Sequence, residues 1–159
     1  MYPKKELSVF SHLLIPLDGS PFGDEALAYA LSLAQKFDSK ITLLHVTSQP
    51  WEGEMSAELP EAEILSERVR SSTNQLNLKE QKDQLTAEGY QVSALVMKGK
   101  PIGDVILKAA ESENVDTIIM STHGMTGWRR HLYGSVAESV VGHSKIPVLL
   151  IRPSTKENS

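Results

Sequence analysis

Residues 13–21 read LLIPLDGSP, and this stretch decides the fold. A short apolar run that stops at an Asp-Gly-Ser turn sequence is typical of a buried strand. Ser20 is a favourable N-cap and Pro21 suits the first helical position, so a helix is predicted to begin directly after the turn. The stretch therefore predicts the strand–turn–helix unit from which α/β proteins are built.

The same alternation of strand and helix continues outward from this unit to the end of the chain. Further buried strands are predicted at 41–46, 90–97, 115–120 and 146–151, and helices at 21–37, 61–88, 102–110 and 135–144. The strands are mostly continuous apolar runs, which favours strands buried on both faces of a parallel sheet. Right-handed crossovers then predict a doubly wound three-layer sandwich, which binds ligands beyond the carboxyl ends of its strands.

The sequence predicts a single domain over residues 1–159. Two of its segments are less regular than the rest. Residues 48–60 form a polar, proline-containing stretch that predicts a flexible loop, and residues 153–159 form a polar tail. Inside the predicted 61–88 helix, Ser71, Ser72, Thr73 and Asn74 are poor helix formers that allow a kink or a break.

Composition excludes several classes of protein. The formal net charge is −4 and there is no long basic stretch, which disfavours nucleic acid as a partner. The chain has no cysteine, so disulfides and thiolate chemistry are excluded. No apolar run is long enough to span a membrane, and the first ten residues lack the apolar core of a secretory signal. A cytoplasmic location is the resulting expectation.

The loop before the last helix holds the residues most suited to binding a ligand. Gly124, Gly127 and Gly134 allow the backbone to approach a ligand closely. Ser135 begins a helix, where unpaired amides and the helix dipole favour an anion. Ser135 and Glu138 also have the spacing of a capping box. The alternative is therefore a plain strand–helix loop, in which glycines make turns and Ser135 only caps the helix.

These motifs together resemble the universal stress protein family along almost the whole chain. The resemblance rests on the sequences IPLDGS at 15–20, LLHV at 43–46, GKP at 99–101 and PVLL at 147–150. Members of the family that bind ATP carry a Gly-x2-Gly-x9-Gly-(Ser/Thr) pattern. Here Gly124, Gly134 and Ser135 match that pattern, and Ser121 stands at the position of its first glycine.

The resemblance implies a five-stranded parallel sheet of order 3-2-1-4-5, of the adenine nucleotide alpha hydrolase-like type. It also implies ATP, with Mg²⁺ or Mn²⁺, as the ligand. Asp18 and the backbone before it would meet the adenosine, Val46 the adenine, and Met120 the nucleoside, while the glycine loop would hold the phosphates. The predicted nucleotide-binding residues are Pro16, Leu17, Asp18, Val46, Met120, Ser121, His123, Gly124, Gly127, Gly134, Ser135 and Val136.

Three functions stay open at this point. The first is an ATP-binding regulatory protein of the stress response that acts on an unidentified protein partner. It would be a homodimer, formed by antiparallel pairing of the strand Ile146 to Ile151 with its copy. The second is a slow ATPase, for which Asp18, His123 and Arg129 are loose candidates; no residue is assigned as catalytic. The third is a nucleotide-free dimeric interaction module, which Ser121 keeps open.

Overall fold

The structure is a computed structural model in which residues 9–47, 61–123 and 133–154 are described. These residues form five strands and four helices in strict alternation. The strands are β1 (His12–Pro16), β2 (Lys40–Thr47), β3 (Gln91–Lys98), β4 (Thr117–Ser121) and β5 (Val148–Ile151). The helices are α1 (Pro21–Phe37), α2 (Glu61–Ala87), α3 (Ile102–Ser112) and α4 (Ser135–His143).

All strand pairs in the sheet are parallel, in the order β3-β2-β1-β4-β5. This confirms the predicted order. The chain winds outward from β1 to β3 on one side and from β4 to β5 on the other. The reversal places a crevice beyond the carboxyl ends of β1 and β4, where ligands bind in sheets of this kind.

The turn between β1 and α1 is built as the opening stretch predicts. Ser20 is the N-cap of α1, with its hydroxyl accepting from the Gly23 amide at 3.4 Å, and Pro21 is the first helical residue. Gly19 has a φ of +79°, a conformation that side chains rarely adopt. The turn therefore fixes where β1 stops and which way α1 leaves the sheet.

The core is divided by the sheet into two clusters. Leu13, Ile15 and Leu43 pack on one face, together with residues of α1 and α2. Leu14 and Leu44 pack on the other face, with residues of α3 and α4. Successive strand residues point to opposite faces, so continuous apolar runs such as LLI satisfy both clusters at once.

Helix α2 runs without interruption from Glu61 to Ala87, so the break allowed at 71–74 is not present. The hydroxyls of Ser72 and Thr73 each donate to the carbonyl four residues earlier, at 3.0 Å. Such bonds to the i−4 carbonyl are slightly destabilising for a helix, so they do not account for its continuity. Asn74 Nδ2 donates to the Asp18 carbonyl at 3.2 Å, which ties the middle of α2 to the end of β1.

Two strands begin two residues later than predicted. Val115 still donates its amide to Ala110 O at 3.1 Å, so it completes the end of α3 before β4 starts. Pro147 accepts from the Ile118 amide through its carbonyl but has no amide for the ladder, and β5 starts at the residue after it. None of the described helices combines the length and the apolar character needed to cross a bilayer.

Candidate functional site

A cavity of about 270 Å³ opens at the carboxyl ends of the strands. Residues at the ends of β1, β2 and β4 form its floor, and residues of all four helices form its sides. Ligand pockets of drug-like size run from about 300 Å³ upward, so this cavity suits one small molecule that extends into its mouth.

The cavity brings together the predicted site residues that the structure describes. Ten of the twelve predicted residues line it: Pro16, Leu17, Asp18, Val46, Met120, Ser121, His123, Gly134, Ser135 and Val136. Gly124 and Gly127 lie outside the described residues, as does Arg129.

Helix α4 presents its first turn to the cavity. Its first internal bond runs from the Glu138 amide to Gly134 O at 3.0 Å. The amides of Ser135, Val136 and Ala137 precede that bond, so they have no carbonyl of the helix to donate to. All three residues line the cavity. Together with the helix dipole, these amides make this wall suitable for an anionic group.

The predicted capping box at this helix is wrong. Gly134 is the N-cap and Ser135 is the first helical residue, and the described contacts contain no side-chain cap. Ser135 therefore lies one position too far along the helix for its hydroxyl to cap it. The Gly134 amide is not available to a ligand either, because it donates to Thr122 O at 2.7 Å.

The constraint at Gly134 is on side-chain size and not on backbone conformation. Its φ of −71° and ψ of 157° suit any residue. A Cβ at this position would lie 3.3 Å from Thr122 O and 3.8 Å from His123 Cα. The start of α4 and the end of β4 therefore approach each other more closely than a side chain allows without adjustment.

Asp18 is held in a defined position at the end of β1. Its Oδ1 accepts from the Ser20 amide at 3.0 Å and from the Ser20 hydroxyl at 2.5 Å. Both bonds orient the carboxylate, and the residue is half-buried at the cavity. Asp18 thus has a turn-forming role that is independent of any ligand, and its place in the cavity is compatible with a binding role as well.

Ser121 and His123 form a small turn after β4. The Ser121 hydroxyl accepts from the His123 amide at 3.3 Å, and His123 Nδ1 contacts Thr122 Oγ1 at 2.9 Å. Ser121 is also in register with Ile151 of the neighbouring strand. The hydroxyl that replaces the family's first glycine therefore stabilises the local backbone as well as lining the cavity.

The cavity has one apolar wall on the α3 and α4 side of the sheet. Every member of this wall belongs to the core cluster on that face. The members are Leu44, Val46, Ile102, Ile106, Met120, Val136 and Ala137. The flat face of a nucleobase would exclude water from this surface, which is the usual source of affinity in such pockets.

The opposite wall is polar and comes mainly from residues that the sequence analysis did not select. Helix α2 contributes four of them at i, i+3, i+4 and i+7, the spacing of one helical face. They are Glu67, Arg70, Ser71 and Asn74. His45 and Thr47 of β2 lie on the same wall. The spacing was visible in the sequence, but poor helix formers at 71–74 suggested a break instead of a continuous face.

Two histidines differ in their relation to the cavity. His45 is 6% exposed, and its Nδ1–H donates to Leu17 O at 3.0 Å, so it is a hydrogen-bonded core histidine. His12 lies at the opposite end of the sheet, with Nε2 2.8 Å from Thr42 Oγ1. Burial lowers the pKa of His12, and nearby Lys40 adds to that effect. His12 is therefore a structural residue remote from the site.

The sheet order and the cavity at its strand reversal place the molecule among the doubly wound α/β proteins. Residues 10–152 match the universal stress protein family. A relative from Methanocaldococcus jannaschii, universal stress protein MJ0531, is 32% identical over 151 residues, covering 94% of this chain and 86% of its own. The chain belongs to the universal stress protein family.

Solved structures agree with this assignment. The structure of MJ0577 from the same organism is similar with a TM-score of 0.74 and 31% identity, over 92% of this chain and 99% of that one. The fold is also that of UspA from Lactobacillus plantarum, at a TM-score of 0.75 and 19% identity, over 91% and 99% of the two chains. A universal stress protein in complex with cAMP has a TM-score of 0.62 and 22% identity, over 92% and 100%.

Proposed function

We propose that this chain binds an adenine nucleotide, ATP with Mg²⁺ or Mn²⁺, in the cavity at the carboxyl ends of its strands. One observation carries the proposal: the first-turn amides of α4, the oriented carboxylate of Asp18 and an apolar wall all line a single small cavity. An apolar wall suits a base, and helix amides suit phosphates. The complex of a related protein with cAMP supports the choice of an adenine nucleotide.

The divalent ion would arrive with the nucleotide. Within residues 9–47, 61–123 and 133–154, no cluster of three or more histidines or carboxylates is placed to hold a metal by itself. Mg²⁺ is commonly bound through substrate phosphates and one or two carboxylates. Asp18 is the carboxylate of the predicted site that would complete such a set.

Binding is favoured over catalysis. Phosphoryl transfer needs a positioned base or a water-orienting residue in addition to a metal. Asp18 is engaged by Ser20, and His123 contacts Thr122, so neither is shown in an arrangement that activates a water molecule. The proposed role is therefore nucleotide-dependent regulation, in which ATP shifts the population of one conformation that a partner recognises.

Nucleotide release tests this proposal most simply. The freshly purified chain is denatured, and the released small molecules are identified by mass. We expect an adenine nucleotide at a substantial fraction of one per chain. Adding ATP and Mg²⁺ to the stripped protein should raise its melting temperature, because a ligand at a hundredfold excess over Kd stabilises by about 2.7 kcal/mol.

Absence of both released nucleotide and thermal shift would favour the third function, a nucleotide-free dimeric module. Ser121 is the observation that supports this second candidate, because its side chain occupies the position of the family's first glycine and bonds to the His123 amide. Ser121→Gly is the matched variant. If it alone gains ATP binding, the natural chain is the nucleotide-free form.

We also propose that the protein is a cytoplasmic homodimer of single-domain subunits. Strand β5 is an edge strand, and its residues Val148, Leu149 and Leu150 are only partly buried. Apolar edge strands are aggregation-prone unless they are paired or covered. An antiparallel pairing of β5 with its copy would bury these side chains.

Val148→Asp should convert the dimer to monomer in sedimentation velocity at micromolar concentration. Val96→Asp is the control, because Val96 is 43% exposed on β3 at the opposite edge of the sheet. A monomeric natural chain, or equal dissociation by both variants, would remove the β5 interface.

A further inference from the structure

The inward face of α2 changes character along its length. Leu78 and Leu85 on this face are buried against the sheet. A 27-residue helix is about 40 Å long and an eight-residue strand spans about 26 Å, so the first turns of α2 extend past the strand ends. There the same face becomes polar, with Glu67, Arg70 and Ser71 lining the cavity.

A polar face turned toward the interior requires partners, since burying polar groups without hydrogen bonds is costly. Ser71 is 4% exposed, and Thr47 at the end of β2, which lines the same cavity, is 5% exposed. The Thr47 hydroxyl is buried with no hydrogen-bond partner among the described residues. Such a hydroxyl beside a polar helix face indicates that this wall is adapted to a ligand as well as to packing.

Charge identifies the kind of ligand group that this wall suits. Among the described residues that line the cavity, Arg70 is the only lysine or arginine. Asp18 and Glu67 are the carboxylates there, and Glu67 Oε2 lies 2.6 Å from Arg70 Nη2. The contact leaves about half of the Arg70 side chain exposed. A guanidinium presents several donors in a planar fork that matches phosphate geometry.

From this placement we infer that Arg70 is a second phosphate-binding residue, acting from α2 across the cavity from the first turn of α4. The inference rests on the proposed nucleotide site and adds a specificity determinant to it. Arg70 distinguishes charged nucleotides from the uncharged nucleoside, while the apolar wall binds the base that both contain. Asn74 fixes the helix in register by its bond to the Asp18 carbonyl.

Calorimetric titration of the full-length, nucleotide-stripped chain tests the inference, with ATP, AMP and adenosine as ligands. Arg70→Gln should weaken ATP binding about tenfold or more, as expected for loss of a charged hydrogen bond. Adenosine affinity should stay within about twofold, because no charged contact is lost. Arg70→Lys should retain part of the ATP affinity, since it keeps the charge without the fork.

Arg68→Gln is the matched control, because Arg68 is exposed on the same helix and does not line the cavity. It removes the same charge and should change ATP affinity by less than about twofold. Melting curves of both variants should match the natural chain, since both side chains lie largely in solvent.

Two results would overturn the inference while leaving the proposed function intact. One is equal ATP affinity for the Arg70→Gln and Arg68→Gln variants. The other is an equal loss of ATP and adenosine affinity in Arg70→Gln, which would mean that the guanidinium contacts the nucleoside instead. If the natural chain binds no adenine nucleotide at all, the proposed function and this inference both fail.

Discussion

The two walls of the cavity lie on opposite faces of one sheet and differ in chemical character. The wall on the α3 and α4 side is part of a core cluster, so each of its residues contributes to folding. The wall on the α1 and α2 side is polar, and its α2 portion extends past the strand ends. If the proposed function is correct, substitutions in the first wall should mainly change stability and substitutions in the second wall should mainly change binding.

The largest difference in the free energy of unfolding should appear between substitutions of Ile106 and of Ser71. Ile106 is 1% exposed in the apolar wall, so Ile106→Ala should lower the free energy of unfolding by about 2–5 kcal/mol. Ser71→Ala removes only a hydroxyl that accepts from Gln75 Nε2 at 3.3 Å, and should cost about 1 kcal/mol or less. Denaturant unfolding measures both. Similar losses for the two variants would break the distinction between the walls.

Two buried threonines of β2 allow a second comparison of stability, because Thr42 has hydrogen-bond partners and Thr47 has none among the described residues. Thr42 Oγ1 contacts His12 Nε2 and Ser93 Oγ, so Thr42→Val should cost about 1–3 kcal/mol of stability. Thr47→Val removes a hydroxyl that has no partner among the described residues, and should stabilise the ligand-free chain by about 1 kcal/mol. The melting temperatures of the two variants should therefore move in opposite directions. A loss at both positions would show that the Thr47 hydroxyl has a protein partner.

Asn74 links the polar wall to β1. Asn74→Ala should cost about 1 kcal/mol in chemical unfolding, because the bond to the Asp18 carbonyl is lost. Asn77→Ala, at an exposed position one turn further on, is the control and should change stability little. Equal stability of the two variants would contradict a role for Asn74 in fixing α2 against the strand end.

The smallest expected effect concerns Glu67. Its carboxylate lines the cavity and occupies the Arg70 guanidinium, so it competes with a phosphate for the same donors. Glu67→Gln should tighten ATP binding about two- to fivefold, in keeping with the modest strength of a half-exposed ion pair. Glu63→Gln is the exposed control one turn earlier. Weaker ATP binding in Glu67→Gln than in the control would mean that Glu67 orients Arg70 instead of competing for it.

The difference between the walls also explains what the sequence could predict. The parallel sheet, the β1–α1 turn and the extent of α1 followed from apolar runs and from Ser20 and Pro21, because local and tertiary preferences agree there. The strand order followed from the family resemblance. The site residues at strand ends followed from the fold rule and the family pattern. The continuity of α2 could not be predicted from the sequence. Tertiary hydrogen bonds, such as that from Asn74 to the Asp18 carbonyl, override the weak helix propensity of this segment.

The start of α4 is a second feature that the sequence alone did not predict correctly. The S-x-x-E spacing at Ser135 predicted a cap at that residue, but the close approach of Gly134 to Thr122 O moves the cap one residue earlier. That approach is a contact between the end of β4 and the start of α4, so only the folded chain contains it. As a result, Ser135 presents its amide to the cavity from within the helix.

A crystal structure of the chain grown with ATP and Mg²⁺ tests the central claim most directly. The account predicts the base against Val46 and Met120 on the apolar wall, with phosphates contacting the Ser135 and Val136 amides and the Arg70 guanidinium. A nucleotide bound elsewhere on the surface, or a cavity filled by the chain's own 121–135 segment in the presence of saturating ATP, would contradict it.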